Sequence, residues 1–102
     1  MSEKRAYQYD VENNVPIDET GVLAEVETRG RRQVSLKVDA TADSTFLLEA
    51  QFNGADDWML IEEFATKKSV TQTRQLSVAR VRLFNDAAQT AGETADVKLG
   101  TS

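Results

Sequence analysis

Four aspartates, Asp39, Asp43, Asp56 and Asp57, fall where the surrounding composition predicts loops. Carboxylate oxygens converging from loops are what calcium needs. Their spacing matches no helix–loop–helix calcium site, and the two pairs belong to different loops. Solvated charge is the ordinary state of such residues, so no metal is expected. Glu62 and Glu63 raise glycoside hydrolysis, which needs two carboxyl groups flanking one bond. Neighbours on a strand point to opposite faces, and no second acid is identified, so catalysis is not expected there.

Trp58, the single tryptophan, is read two ways. Exposed beside acids and amides it would be a sugar-stacking platform. As a lone strand tryptophan it fills a core, burying roughly 150–250 Å², and the core is the expectation. The arginines form two groups, Arg29, Arg31 and Arg32 in a loop and Arg74, Arg80 and Arg82 on strands. Arg80 and Arg82 share a face. A single-stranded nucleic-acid groove would need more bases and interleaved aromatics. Two roles remain open for them, cross-strand pairing with Glu49 or Glu63 and salt bridges across an interface.

Absences exclude more chemistry than any of these residues suggests. With no cysteine there is no disulfide, thiolate nucleophile or thiolate metal site. With no histidine, the Ser-His-Asp and Cys-His pairs and the commonest metal ligand are missing too. No enzyme and no cofactor are therefore expected. Seventeen acids against twelve bases give a net charge of −5, the wrong sign for non-specific binding to nucleic acid or an anionic membrane. No apolar run approaches the ~20 residues of a membrane helix, and the polar start Met1-Ser2-Glu3-Lys4-Arg5 lacks signal-peptide character. The expected product is made and kept in the cytoplasm, or leaves by assembly into a particle or by lysis.

The elements that must position these residues announce themselves by period-two alternation. Val34, Leu36 and Val38 share one face of the run from Gln33 to Asp39. Phe46, Leu48, Ala50 and Phe52 share a face between Thr45 and Asn53, with Glu49 and Gln51 opposite. Ala79, Val81 and Leu83 oppose Arg80, Arg82 and Phe84, and Ala95, Val97 and Leu99 close the series. Gly21 to Glu27 reads as a strand with Val22, Ala24 and Val26 together. Asp57 to Phe64 reads as a strand apolar on both faces, and Tyr7 to Val11 and Ser69 to Leu76 as weaker, polar strands of the kind found at a sheet edge. Asn53-Gly54-Ala55-Asp56 reads as a hairpin loop.

About eight short strands with turn signals between them describe an all-β, antiparallel sandwich of jelly-roll type. The expected core includes Leu36, Phe46, Leu48, Val81, Leu83 and Val97. Residues 1–20 are expected as an extended N-terminal arm and residues 21–102 as the β-sandwich domain. The arm holds both tyrosines, the only proline (Pro16) and the acidic, amide-rich Asp10-Val11-Glu12-Asn13-Asn14.

A resemblance rests on Val34-Ser35-Leu36-Lys37-Val38-Asp39-Ala40, Ser44-Thr45-Phe46-Leu47-Leu48-Glu49-Ala50, Asp57-Trp58, Val81-Arg82-Leu83 and Ala91-Gly92-Glu93-Thr94-Ala95-Asp96-Val97. The succession resembles small β-sandwich virion proteins encoded by tailed viruses of archaea and bacteria, including haloarchaeal ones, from about Val34 to Leu99. It implies a capsid decoration or head–tail protein whose function resides in surfaces. The implied partners are copies of itself, a trimer being favoured, and a major capsid or other virion protein, with no nucleic acid and no membrane. Interfaces favour aromatic and arginine anchors, which makes Tyr7, Tyr9, Arg80, Arg82 and Phe84 the candidate contact residues. A carbohydrate- or surface-binding module, with Trp58, Tyr7, Tyr9 and the loop acids as its contact set, is the alternative.

Overall fold

The computed structural model describes residues 8–29, 31–52, 54, 56–65, 70–75 and 78–102. Eight strands are found among them and no helix: β1 (Gln8–Pro16), β2 (Gly21–Glu27), β3 (Gln33–Ala40), β4 (Phe46–Gln51), β5 (Met59–Phe64), β6 (Val70–Gln75), β7 (Arg80–Asn85) and β8 (Thr94–Thr101). They form two antiparallel four-stranded sheets, in the orders β1-β8-β3-β6 and β2-β7-β4-β5. Each inner face is the apolar half of the sequence alternation. Val34, Leu36, Val38, Ala95, Val97 and Leu99 come from the first sheet; Val26, Phe46, Leu48, Ala50, Val81 and Leu83 come from the second, and all join one buried cluster. All six residues expected in the core are inside it. Phe64 extends the cluster sideways, its ring centre 5.5 Å from that of Phe46.

Three local departures from strict alternation change which side chains go where. In β2 the register with β7 slips between Val22 and Ala24, so Leu23 and Ala24 are both buried while Val22 turns outward, 45% exposed. The expected grouping of Val22 with Ala24 and Val26 is thus broken by a bulge, which puts one extra residue into a strand. In β5 the register with β4 slips at Ile61, where Glu62 opposes Leu48 but Leu60 opposes Glu49. β4 itself ends at Gln51, leaving Phe52 49% exposed instead of in the core where alternation had put it.

The acidic segment expected as an arm is, from Gln8 to Pro16, a strand paired with β8 between Gln8↔Thr101 and Pro16↔Thr94. Its alternation is present but inverted: Tyr9 and Val11 face outward, and Ile17 just beyond it is fully buried. Asn14 adopts a left-handed conformation (φ 56°) inside the register slip between Glu12 and Val15, a backbone that asparagine tolerates better than most residues. A buried polar knot fastens this end of the chain. The Asn85 amide donates to the carbonyls of Ile17 (3.2 Å) and Glu19 (2.8 Å), and its oxygen accepts from Ser44 Oγ at 2.6 Å.

Candidate interaction faces

Among the described residues no three acids gather as a metal site would need, and the two outward faces carry the chain's charged and aromatic clusters. β7, flanked by β2 and β4, carries the first. Its outward residues Arg80, Arg82 and Phe84 stand in register with Glu27, Glu25 and Val22 on one side and with Gln51, Glu49 and Leu47 on the other. Cross-strand neighbours this close interact directly. Arg82 Nε donates to Glu49 Oε1 at 2.7 Å, and the guanidinium carbon stands 4.2 Å from the Trp58 ring centre and 5.2 Å from that of Phe84. Arg80 spreads its fork over two acids, reaching Glu25 Oε2 at 3.0 Å and Glu27 Oε2 at 2.9 Å. Leu60 and Val22 add exposed apolar surface at the margins.

Of the five candidate contact residues, Arg80, Arg82 and Phe84 share this face. Tyr9 stands on the outer side of β1, in the other sheet, 69% exposed. Tyr7 lies outside the described residues. The set is therefore divided between opposite faces. Trp58, expected in the core, is half-buried on the outside under Arg82. The hairpin that leads into β5 ends at Asp57, and the Arg82 guanidinium gives the ring a cover that alternation alone does not predict.

The second face is that of β1-β8-β3. Tyr9, Gly100 and Ser35 form one cross-strand row, and Val11, Lys98 and Lys37 the next. Gly100 has no side chain, so a shallow notch opens between Tyr9 and Ser35, bordered by both lysines. The row beyond pairs Asp96 directly with Asp39. Asp96 Oδ1 accepts from the Asn14 amide at 2.8 Å. Of the loop aspartates, Asp43 follows β3 while Asp56 and Asp57 follow β4, at opposite ends of β4. Among the described residues no three acids gather where a metal ion could sit. Glu62 and Glu63, opposite Leu48 and Leu47, point to different sides of their sheet.

The sheet edges are built differently from the faces. β1 turns Asp10 and Glu12 toward the interior side of its sheet, and Asp10 Oδ2 accepts from the Glu25 amide of the neighbouring edge strand β2 at 3.1 Å. Asp10 also hydrogen-bonds and repels Glu12, which holds the Glu12 carboxyl above its ordinary pKa. β5 points Glu62 inward beside its bulge. Bulges and inward charges are the devices that stop an edge from recruiting a further strand.

Comparison with protein-family models, curated proteins and solved structures finds no match.

Proposed function

We propose that this chain is a non-enzymatic structural protein of a virus particle, a jelly-roll sandwich that associates with copies of itself and docks on a capsid or tail surface. The strand orders β1-β8-β3-β6 and β2-β7-β4-β5 support the jelly-roll reading. They are what two interlocked four-strand Greek keys produce, an arrangement frequent in capsid and lectin domains. The step from fold to virion is an analogy, joined to the resemblance of the Val34–Leu99 strands to virion sandwiches.

The single observation that carries the surface role is Arg82, held between Glu49, Trp58 and Phe84 on an outward face. A rotamer already fixed in the free chain loses little entropy when a partner covers it, and arginine and aromatic side chains dominate interface energetics. The inward acids of β1 and the bulge of β5 disfavour strand addition at those edges, which supports association through faces.

Mass spectrometry of purified, nuclease-treated virus particles from the source culture tests this reading. The chain should be present in fixed ratio to the major capsid protein, and its absence from the particles would refute the proposal. Retention on an immobilised polysaccharide by a chain absent from particles would favour the binding-module alternative.

A further inference from the structure

The outer face of the first sheet carries a charge pattern that is not paired off within one chain, although Asp96 also accepts the Asn14 backbone N–H. Lys37 and Lys98 are direct cross-strand partners, and so are Asp39 and Asp96 one step along the same two strands. Like charges directly opposite destabilise a sheet, and here two such pairs stand in consecutive outward rows. All four side chains are exposed, and among the described residues none of them forms an ion pair. The contrast with the other sheet is sharp, for there Arg80 and Arg82 each meet a carboxylate within 3.0 Å.

We propose that this face binds a second copy of the chain about a two-fold axis lying in the interface, perpendicular to the strands and passing between the Lys37–Lys98 and Asp39–Asp96 rows. This rests on the reading that the chain works by self-association and names the surface that does it. Outward residues two apart on a strand are about 6.8 Å apart, so the axis lies about 3.4 Å from each row. Rotation about it sets Lys37 over the copy's Asp39 and Lys98 over the copy's Asp96, and each aspartate over a lysine in return. Four intermolecular ion pairs then offset the two like-charge pairs that remain within each chain. An axis parallel to β3 and β8 would set lysine over lysine, so the charges select one of the two strand-aligned dyads.

The same axis matches the flanking rows without further adjustment. The row Tyr9–Gly100–Ser35 faces the row Pro16–Thr94–Thr41 of the copy. The exposed Tyr9 ring then covers the copy's exposed Pro16, and the notch over Gly100 receives the small Thr94. Any other partner would need aspartates and lysines at this spacing on two adjacent strands, and the chain already carries that complement. An isologous contact of this kind closes as a dimer, where the sequence reading favours a trimer.

Two charge-swapped variants test the proposal, Lys37→Glu with Lys98→Glu, and Asp39→Lys with Asp96→Lys. Light scattering in about 0.1 M salt, where the screening length is about 10 Å, should give the wild type a mass near twice 11.3 kDa. Each variant alone should be a monomer with an unchanged β-type circular dichroism spectrum, its self-affinity at least ten-fold weaker. An equimolar mixture of the two should recover the dimer mass, because each face then meets its opposite. A wild-type monomer, a wild-type trimer, variants that keep the wild-type mass, or a mixture that stays monomeric would each overturn the dyad. Particle composition is read separately, so the dyad can fail while the virion assignment stands.

Discussion

The Arg82 guanidinium lies over Trp58 with its central carbon 4.2 Å from the ring centre, while its Nε donates to Glu49 Oε1 at 2.7 Å. One side chain thus covers the only tryptophan and neutralises a carboxylate whose side chain is 14% exposed. Arg82→Ala removes both functions. It should cost about 1–3 kcal/mol, the range for leaving a desolvated polar partner unmet, and shift the tryptophan emission to the red. Arg82→Lys keeps the charge but loses the planar stack, so it should restore part of the melting temperature and leave the emission shifted. An unshifted spectrum in the alanine variant would mean that Trp58 is shielded by something else.

Leu48 and Phe52 have the same parity in the sequence but different fates in the fold. Leu48 is 1% exposed inside the two-sheet core, whereas Phe52 lies beyond the end of β4. Leu48→Ala should destabilise by about 2–5 kcal/mol through lost contacts and a residual cavity. Phe52→Ala should stay within about 0.5 kcal/mol, as surface changes usually do. Urea melts of the two variants distinguish the observed strand end from a longer β4.

Asn85 is fully buried, and its amide group ties the β1–β2 connection to Ser44. Replacing it by leucine removes the side-chain donor to the carbonyls of Ile17 and Glu19, of which Ile17 keeps the Gln89 N–H, and takes one acceptor from the Ser44 hydroxyl. The expected loss is about 1–3 kcal/mol. Hydrogen exchange should show faster opening at the Gln89 amide, which bonds to the Ile17 carbonyl at 2.8 Å. Uniform destabilisation with unchanged local exchange would argue against this knot as the fastening point.

Glu12 gives a pH signature with a definite sign. Asp10 raises its pKa in the folded chain, so the native state binds that proton more tightly than the unfolded state does. Stability attributable to this group is present at acid pH and declines as pH climbs from the ordinary glutamate value through the raised one. Glu12→Gln should therefore melt higher than the wild type near pH 7, with the advantage vanishing near pH 4. An equal difference at both values would assign the effect to something other than titration.

Most of the fold is legible in the sequence because β3, β4, β7 and β8 keep strict alternation, so burial follows directly from residue type. In β2 and β5 the illegible parts share one cause, an interruption of the period. The β2 bulge buries Leu23 next to Ala24, and the β5 bulge lets Leu60 and Glu63 face out while Glu62 faces in. Of β1 only the run from Tyr7 to Val11 reads as a strand, and weakly, because its inward positions are Asp10 and Glu12 and polarity hides the pattern as far as Pro16. Of the contact residues, Arg80, Arg82 and Phe84 are legible as one face from spacing alone. That Trp58 belongs with them depends on where the hairpin after β4 re-enters the sheet. The paired charges of β3 and β8 are visible only once the register sets Lys37 beside Lys98 and Asp39 beside Asp96.

The pairing of β1 with β8 has a consequence for synthesis on the ribosome. β8 is the last of the described strands in chain order, yet it sits between β1 and β3 as an inner member of its sheet. β1, the first of the described strands, has no ladder partner until residues 94–101 have left the exit tunnel. During elongation its ladder partner among the described strands is still missing. With Gln8 opposite Thr101, a tag joined before residue 8 and one joined after residue 101 would emerge at the same corner. A split fluorescent reporter divided between those two positions would light up only after the final strand has docked.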